Sequence, residues 1–254
     1  MSHSTLALIG GEEFAAGFEI VHAELIGMLG KPNPRVVFLP TAASHDGAIV
    51  AQEWCERAKK LLGDAGAIVD APLVIDKVSA NEESNAALLD NADMIYLGGG
   101  FPHILIETLE GTRTLDAFWR AVERGALIAG ASAGAMAMGA RSMKITPDLL
   151  AAVSALWGGG TLPDDWQPPP LEFFECWNLV PRVEVSPHFD QVPVALEFIK
   201  RGLFPKQDIV IGIDEQTALV GNGDAWRVLG RGAVTIARNG ELEKYRAGDV
   251  LKWN

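Results

Sequence analysis

Cysteine is scarce, with Cys55 and Cys176 the two in the chain, and they fall in segments that read as a helix and a long loop. A small secreted domain held by a disulfide framework is therefore not indicated. Positive charge is also in short supply. Against 33 Asp and Glu stand 21 Lys and Arg, giving a formal charge of -12 and a pI near 4.8. The average field repels a phosphate-bearing polymer, so no nucleic-acid partner is expected, although one basic pocket could still hold an acidic small substrate. No apolar run approaches the roughly 18 residues needed to span a bilayer. The opening MSHSTLALIGGEEF has neither a basic cluster nor an apolar stretch of leader length before its acidic pair. The expectation is a soluble, cytoplasmic protein of a reducing compartment with no membrane partner.

What is present fits one α/β domain over residues 1–254, since 48% of the residues are hydrophobic and a core of that size folds without staples. Short β-rich runs alternate with amphipathic stretches through the first half, the pattern of a mainly parallel sheet with helices on both faces. Strands are predicted at Leu6–Gly10, Arg35–Leu39, Ala67–Val69, Leu73–Ile75, Met94–Leu97 and Leu127–Ala129. Helices are predicted at Ala15–Leu29, Ile49–Gly63, Glu82–Asn91, Pro102–Glu110 and Leu115–Arg124. The run from Trp157 to Pro170, WGGGTLPDDWQPPP, is too rich in Gly and Pro for a regular element and has the length of a lid, a binding loop or a surface excursion. From Val183 strands dominate, at Val183–Val185, Ile209–Ile213, Thr217–Val220 and Ala225–Leu229, with a closing β meander through Val234, Ile236 and Val250. Asn222-Gly223 and Asn239-Gly240 are hairpin signals.

Residues 126 to 136 read ALIAGASAGAM: a buried strand, then Gly130-Ala131-Ser132-Ala133-Gly134, then small helix formers. Small neighbours let the chain turn sharply and raise the Ser132 hydroxyl above the sheet edge, with amides of the following helix aimed at it. The alternative is a tight glycine turn on which Ser132 serves only as a helix cap. A serine becomes a nucleophile when a base takes its proton. Of the five histidines, His3 lies in the terminus, His22 in a helix pattern, His45 in a loop and His103 at a helix start. His188, just past a strand end in Val-Ser-Pro-His-Phe-Asp, is the best placed base. The orienting acid is predicted to be Glu215, at the end of the apolar run Val210–Ile213, with Asp214 and Asp148 in reserve. Asp164, Asp165, Glu172, Glu175 and Glu184 also lie between serine and histidine, where an α/β-hydrolase would carry its acid.

A tetrahedral intermediate needs amide donors, each contributing about 3 kcal/mol. Ala133, following the serine, is one candidate, and Gly99 and Gly100 in Leu97-Gly98-Gly99-Gly100-Phe101-Pro102 are the others. A phosphate cradle is disfavoured because the G-x-G-x-x-G spacing is absent and no lysine follows. Phe101, Trp157 and Asp190 are the candidates for substrate contact. The chemistry requires no cofactor and no metal.

Together, IYLGGGFPHIL at 95–105, AGASAGAMAMG at 129–139, SPHF at 186–189 and IGIDEQTAL at 211–219 resemble peptidase family S51. That family holds the aspartyl dipeptidases and the cyanophycinases, on a fold similar to class I glutamine amidotransferases. The resemblance implies a Ser132-His188-Glu215 triad with Gly100 and Ala133 amides at the oxyanion, and a small peptide substrate. Both named activities call for a positive residue near the histidine, whereas here none follows His188 before Arg201, so a different small peptide or amide is also compatible. A non-catalytic binding module on the same fold and an esterase or amidase of α/β-hydrolase type are the competing readings. A glutamine amidotransferase subunit is less favoured because its usual nucleophile is cysteine. The sequence leaves a homodimer open.

Overall fold

A computed structural model describes residues 4–251 except 145, 158–159, 162, 164–165, 193–195, 197, 200–208, 224 and 240. The first half forms β1 (Leu6–Ile9), β2 (Arg35–Leu39), β3 (Ile68–Asp70), β4 (Met94–Leu97) and β5 (Leu127–Ala131). These pair in parallel in the spatial order β3-β2-β4-β5-β1. Parallel neighbours need crossovers. These are made by α1 (Glu19–Met28), α2 (Ala48–Asp64), the short α3 (Lys77–Ala80) with α4 (Glu83–Asp90), and α5 (Pro102–Leu109) with α6 (Arg113–Arg124).

The alternation of side chains along each strand divides the core in two. Val36, Phe38, Met94 and Tyr96 pack on one face with Leu25 of α1 and Cys55 and Leu62 of α2. Val37, Leu39, Ile95 and Leu97 pack on the other with Leu105 of α5 and Phe118 and Ala121 of α6. Both cysteines are free, and burial pushes the Cys55 thiol up to about 11. Among the described residues, no helix is long and apolar enough to cross a membrane.

The N-terminus of α6 is fixed by Thr112, whose hydroxyl accepts the Leu115 N–H at 3.3 Å and donates to the Leu109 carbonyl at 2.6 Å. Loss of such a cap costs about 1–2 kcal/mol. Thr112→Ala is accordingly expected to lower the urea midpoint with an unchanged slope; an unaltered midpoint would show that α6 is held by packing alone.

Three expectations are corrected by the structure. Leu73–Ile75 is not a strand: the Val74 N–H turns back to the Pro72 carbonyl at 2.8 Å, the Val74 carbonyl accepts the Thr41 hydroxyl at 2.8 Å, and the chain runs into the Asp76–Ser79 capping box that opens α3. The helix expected from Ala15 starts at Glu19, because the chain turns through Gly17 at φ +97°. The C-terminal strands do not form one meander. β8 (Val183–Ser186), β9 (Ile209–Ile213), β12 (Ala233–Arg238) and β13 (Glu241–Arg246) make a second sheet in the order β13-β12-β9-β8. β10 (Thr217–Asn222), β11 (Ala225–Gly230) and β14 (Val250–Leu251) instead extend the main sheet beyond β1.

The turn at Asn222-Gly223 joins β10 to β11 as expected, whereas Gly240 of the other hairpin signal lies outside the described residues. The helix expected after the elbow is α7 (Ala133–Met138); unforeseen are the antiparallel pair β6 (Arg141–Met143) and β7 (Phe173–Glu175), and α8 (Pro147–Leu156), which is capped by Thr146.

Candidate active site

The site lies where β1, β4 and β5 of the main sheet end beside β9 of the second sheet. Beyond β5, Ser132 adopts φ 49° and ψ -110°, a conformation that costs a non-glycine residue about 1–3 kcal/mol and persists only where its surroundings enforce it. Here the Ser132 N–H donates to the Ile9 carbonyl at 2.9 Å, and its own carbonyl accepts Met136 at 3.0 Å to open α7. Glycine is required on both sides of this turn. A Cβ on Gly130 would lie 2.5 Å from the Gly134 backbone, and one on Gly134 would lie 2.4 Å from the Leu97 carbonyl oxygen. The G-x-S-x-G spacing is thus a packing requirement of this elbow.

His188 has φ 51° and donates its N–H to the Gly10 carbonyl at 2.8 Å. Its Nε2 lies 3.0 Å from Ser132 Oγ and its Nδ1 lies 3.0 Å from Glu215 Oε1. The histidine and glutamate side chains are 21% and 13% exposed, so the ring is screened from bulk water but still accessible to a ligand. Glu215 is fixed through its own backbone, its N–H donating to Asp190 Oδ1 at 2.8 Å. Asp190, expected at the substrate, also takes the Gln191 side-chain N–H at 3.0 Å. Its observed contacts hold Glu215.

The reserve acids are placed elsewhere. Asp214 turns toward β12, where its Oδ2 accepts the Ala233 N–H at 2.9 Å, and burial raises its pKa. Asp148 is in the first turn of α8, Glu172 pairs with Lys144, Glu175 is exposed in β7, and Glu184 is buried in β8. Asp164, Asp165, Arg201 and His3 lie outside the described residues.

The glycine turn after β4 faces the serine. A Cβ on Gly99 would stand 3.4 Å from Ser132 Cβ and 3.1 Å from the Trp54 ring. Gly100, at φ +127°, is pressed against Ala42, whose carbonyl accepts the Phe101 N–H at 2.9 Å. Ala133 is the first residue of α7, directly after the serine. The Trp157 ring leans on the His188 ring at 5.0 Å between centroids. Phe101 packs edge-on to His45 and His103 at 5.1 and 5.8 Å. His22 is sealed under the sheet, where burial lowers its pKa to about 4.

Sequence reasoning missed the floor of the site, the segment Gly10-Gly11-Glu12-Glu13. The Gly10 carbonyl holds His188, and the Gly11 carbonyl accepts the Gln216 N–H at 2.9 Å. A Cβ on Gly11 would lie 2.2 Å from His188 Cε1. The signal was a pair of glycines at the end of an apolar strand, a place where close backbone approach is common.

Such a line of carboxylate, imidazole and hydroxyl can take a proton from the serine as it attacks a carbonyl. A family profile described as Peptidase family S51 matches residues 6–229. A cyanophycinase of Trichormus variabilis is 26% identical over 241 residues, covering 94% of this chain and 74% of that protein. A Peptidase E of Nostoc sp. is 25% identical over 239 residues, covering 90% and 86%. Among solved structures, a peptidase from an acI-B1 Actinobacterium superposes with a TM-score of 0.78 at 24% identity, covering 99% of this chain and 97% of its own. A putative Peptidase E of Listeria monocytogenes gives 0.59 at 18% identity, covering 90% and 98%. These last two are likenesses of fold.

Proposed function

This chain belongs to peptidase family S51 and is a serine peptidase, and we propose that it cleaves a small peptide or isopeptide through a Ser132-His188-Glu215 triad and an acyl-enzyme. The observation that carries this reading is the unbroken line of two 3.0 Å contacts from Glu215 through His188 to Ser132. Ser132 Oγ attacks the scissile carbonyl while neutral His188 takes its proton at Nε2. Glu215 holds the Nδ1–H, fixing the tautomer and stabilising the imidazolium. His188 then gives the proton to the leaving amine, and a water activated by the same nitrogen releases the acyl group.

The Ala133 amide and the backbone of Gly99 and Gly100 supply the oxyanion donors in this scheme, and Phe101 and Trp157 flank the substrate. The resemblance to a family of aspartyl dipeptidases and cyanophycinases, with relatives named cyanophycinase and Peptidase E, favours a short substrate with an aspartyl residue at the cleaved bond.

The test is intact-mass detection of a fluorophosphonate adduct on wild type, Ser132→Ala and His188→Ala. One adduct on wild type, lost in both variants, is the expected result, and it would direct a dipeptide library biased toward acidic first residues. No adduct on the wild-type protein would instead favour a binding module that keeps the fold without turnover.

A further inference from the structure

Beneath the glycine turn lies a carboxyl that the reaction above does not use. Glu13 is 4% exposed, and its Oε1 is buried without a hydrogen-bond partner. Burial pushes its pKa up to about 7, with the nearby Glu12 charge adding to the rise. The backbone N–H groups of Glu13 itself and of Gly99 act in the opposite direction, which puts the Gly99 amide in the neighbourhood of the carboxyl.

The same carboxyl faces Tyr96 of β4, whose buried hydroxyl is also unpartnered and whose pKa is raised by burial and by Glu13. His22 of α1 packs on the far side of Tyr96, with ring centroids 6.0 Å apart, and is kept neutral by burial. His188 stands across Gly11 on the other side of the loop.

Glu13 therefore joins two parts of the site. Its loop carries the Gly10 and Gly11 contacts to His188 and Gln216, and its carboxyl neighbours Gly99, whose Cα side faces Ser132. A negative charge placed there opposes the negative charge that develops on the substrate oxygen, whereas a neutral acid does not.

We propose that Glu13 is a positioning residue for acylation: as the neutral acid its carboxyl sets the Gly99–Gly100 backbone against Ser132, and its ionisation closes the reaction at alkaline pH. This rests on Ser132 and His188 acting as nucleophile and base. Loss of the Glu13 proton lowers the rate from the alkaline side.

The experiment follows the second-order rate of fluorophosphonate labelling from pH 5 to pH 9 on wild type, Glu13→Gln and Glu12→Gln, with folding checked by circular dichroism. Wild type should label about tenfold more slowly at pH 8 than the neutral-acid form would allow. Glu13→Gln, a permanent stand-in for the neutral acid, should match wild type near pH 6 and exceed it about tenfold at pH 8. A structural lesion cannot produce that gain.

Glu12→Gln removes an exposed like charge and should move the alkaline limb to lower pH, which keeps the test open if Glu13→Gln does not fold. Normal labelling with the same alkaline limb in Glu13→Gln, or in Glu12→Gln where Glu13→Gln does not fold, would overturn this inference alone. No labelling of wild type at any pH would overturn the triad reading with it.

Discussion

Ser132→Ala and His188→Ala are each expected to reduce peptide hydrolysis by about six orders of magnitude, and Glu215→Gln by about four. The order matters more than the sizes. In the proposed mechanism serine and histidine act as one unit, so removal of either is expected to stop acyl transfer. Glu215 Oε1 lies 3.0 Å from Nδ1, so in the proposed triad the glutamine variant would retain the shape and lose the charge that stabilises the imidazolium and selects its tautomer. Single-turnover kcat should fall in Glu215→Gln with little change in KM or melting temperature. The neighbouring carboxylate supplies the contrast. Asp214 accepts the Ala233 N–H at 2.9 Å and ties β9 to β12, so Asp214→Asn should lower stability while leaving most of kcat. An equal loss of kcat in the two variants would remove Glu215 from the role given to it.

Gly11→Ala should combine a fall of about 100-fold or more in kcat/KM with a loss of about 1–3 kcal/mol in stability. Two costs arise at one atom. Gly11 has φ +135°, a region in which side chains are strained, and the added methyl would lie 2.2 Å from His188 Cε1 and 2.6 Å from Nδ1. The ring cannot retain both 3.0 Å contacts while making room for it. Displacement of a reacting group by about 1 Å is enough for a 100-fold loss. Gly63→Ala is the control: it lies in α2 with nothing within 4 Å of the new atom, and is expected to stabilise by about 0.4–1 kcal/mol without touching the rate. Wild-type activity in Gly11→Ala would mean that the ring has slack the geometry does not show.

The elbow at Ser132 was legible because its constraint is local. Gly130 and Gly134 are small for reasons contained within a few residues of Ser132 and one neighbouring strand, and that requirement is written in their spacing. His188 followed by elimination, and Glu215 from a strand end, although choosing between Glu215 and Asp214 needed the second sheet that turns one carboxylate to the histidine and the other to Ala233. That sheet was not legible. β9 and β10 are adjacent in sequence and equally apolar, and only long-range pairing decides that one joins β8 and the other β1. The apolar Leu73–Ile75 read as a strand by composition, yet Pro72 before it and the capping box after it leave no room for a ladder. Conversely, Thr146-Pro147-Asp148 carries the start signal of α8, a threonine cap followed by proline at the first helical position. Glu13 entered only as half of the acidic pair after the first strand, because burial by distant segments leaves no mark in its own neighbourhood.

The Ile9, Gly10 and Gly11 carbonyls hold Ser132, His188 and Gln216 in turn, so a single strand end acts as the template on which three distant stretches of chain are aligned. β1 lies between β5 and β10, partners encoded far downstream, and such non-local closures form late in folding. A nascent chain thus cannot assemble the hydrolytic centre until β10 has docked, nearly the whole protein having been synthesised by then. On the proposed mechanism, a chain that has not yet paired β1 with both neighbours is expected to lack peptidase activity.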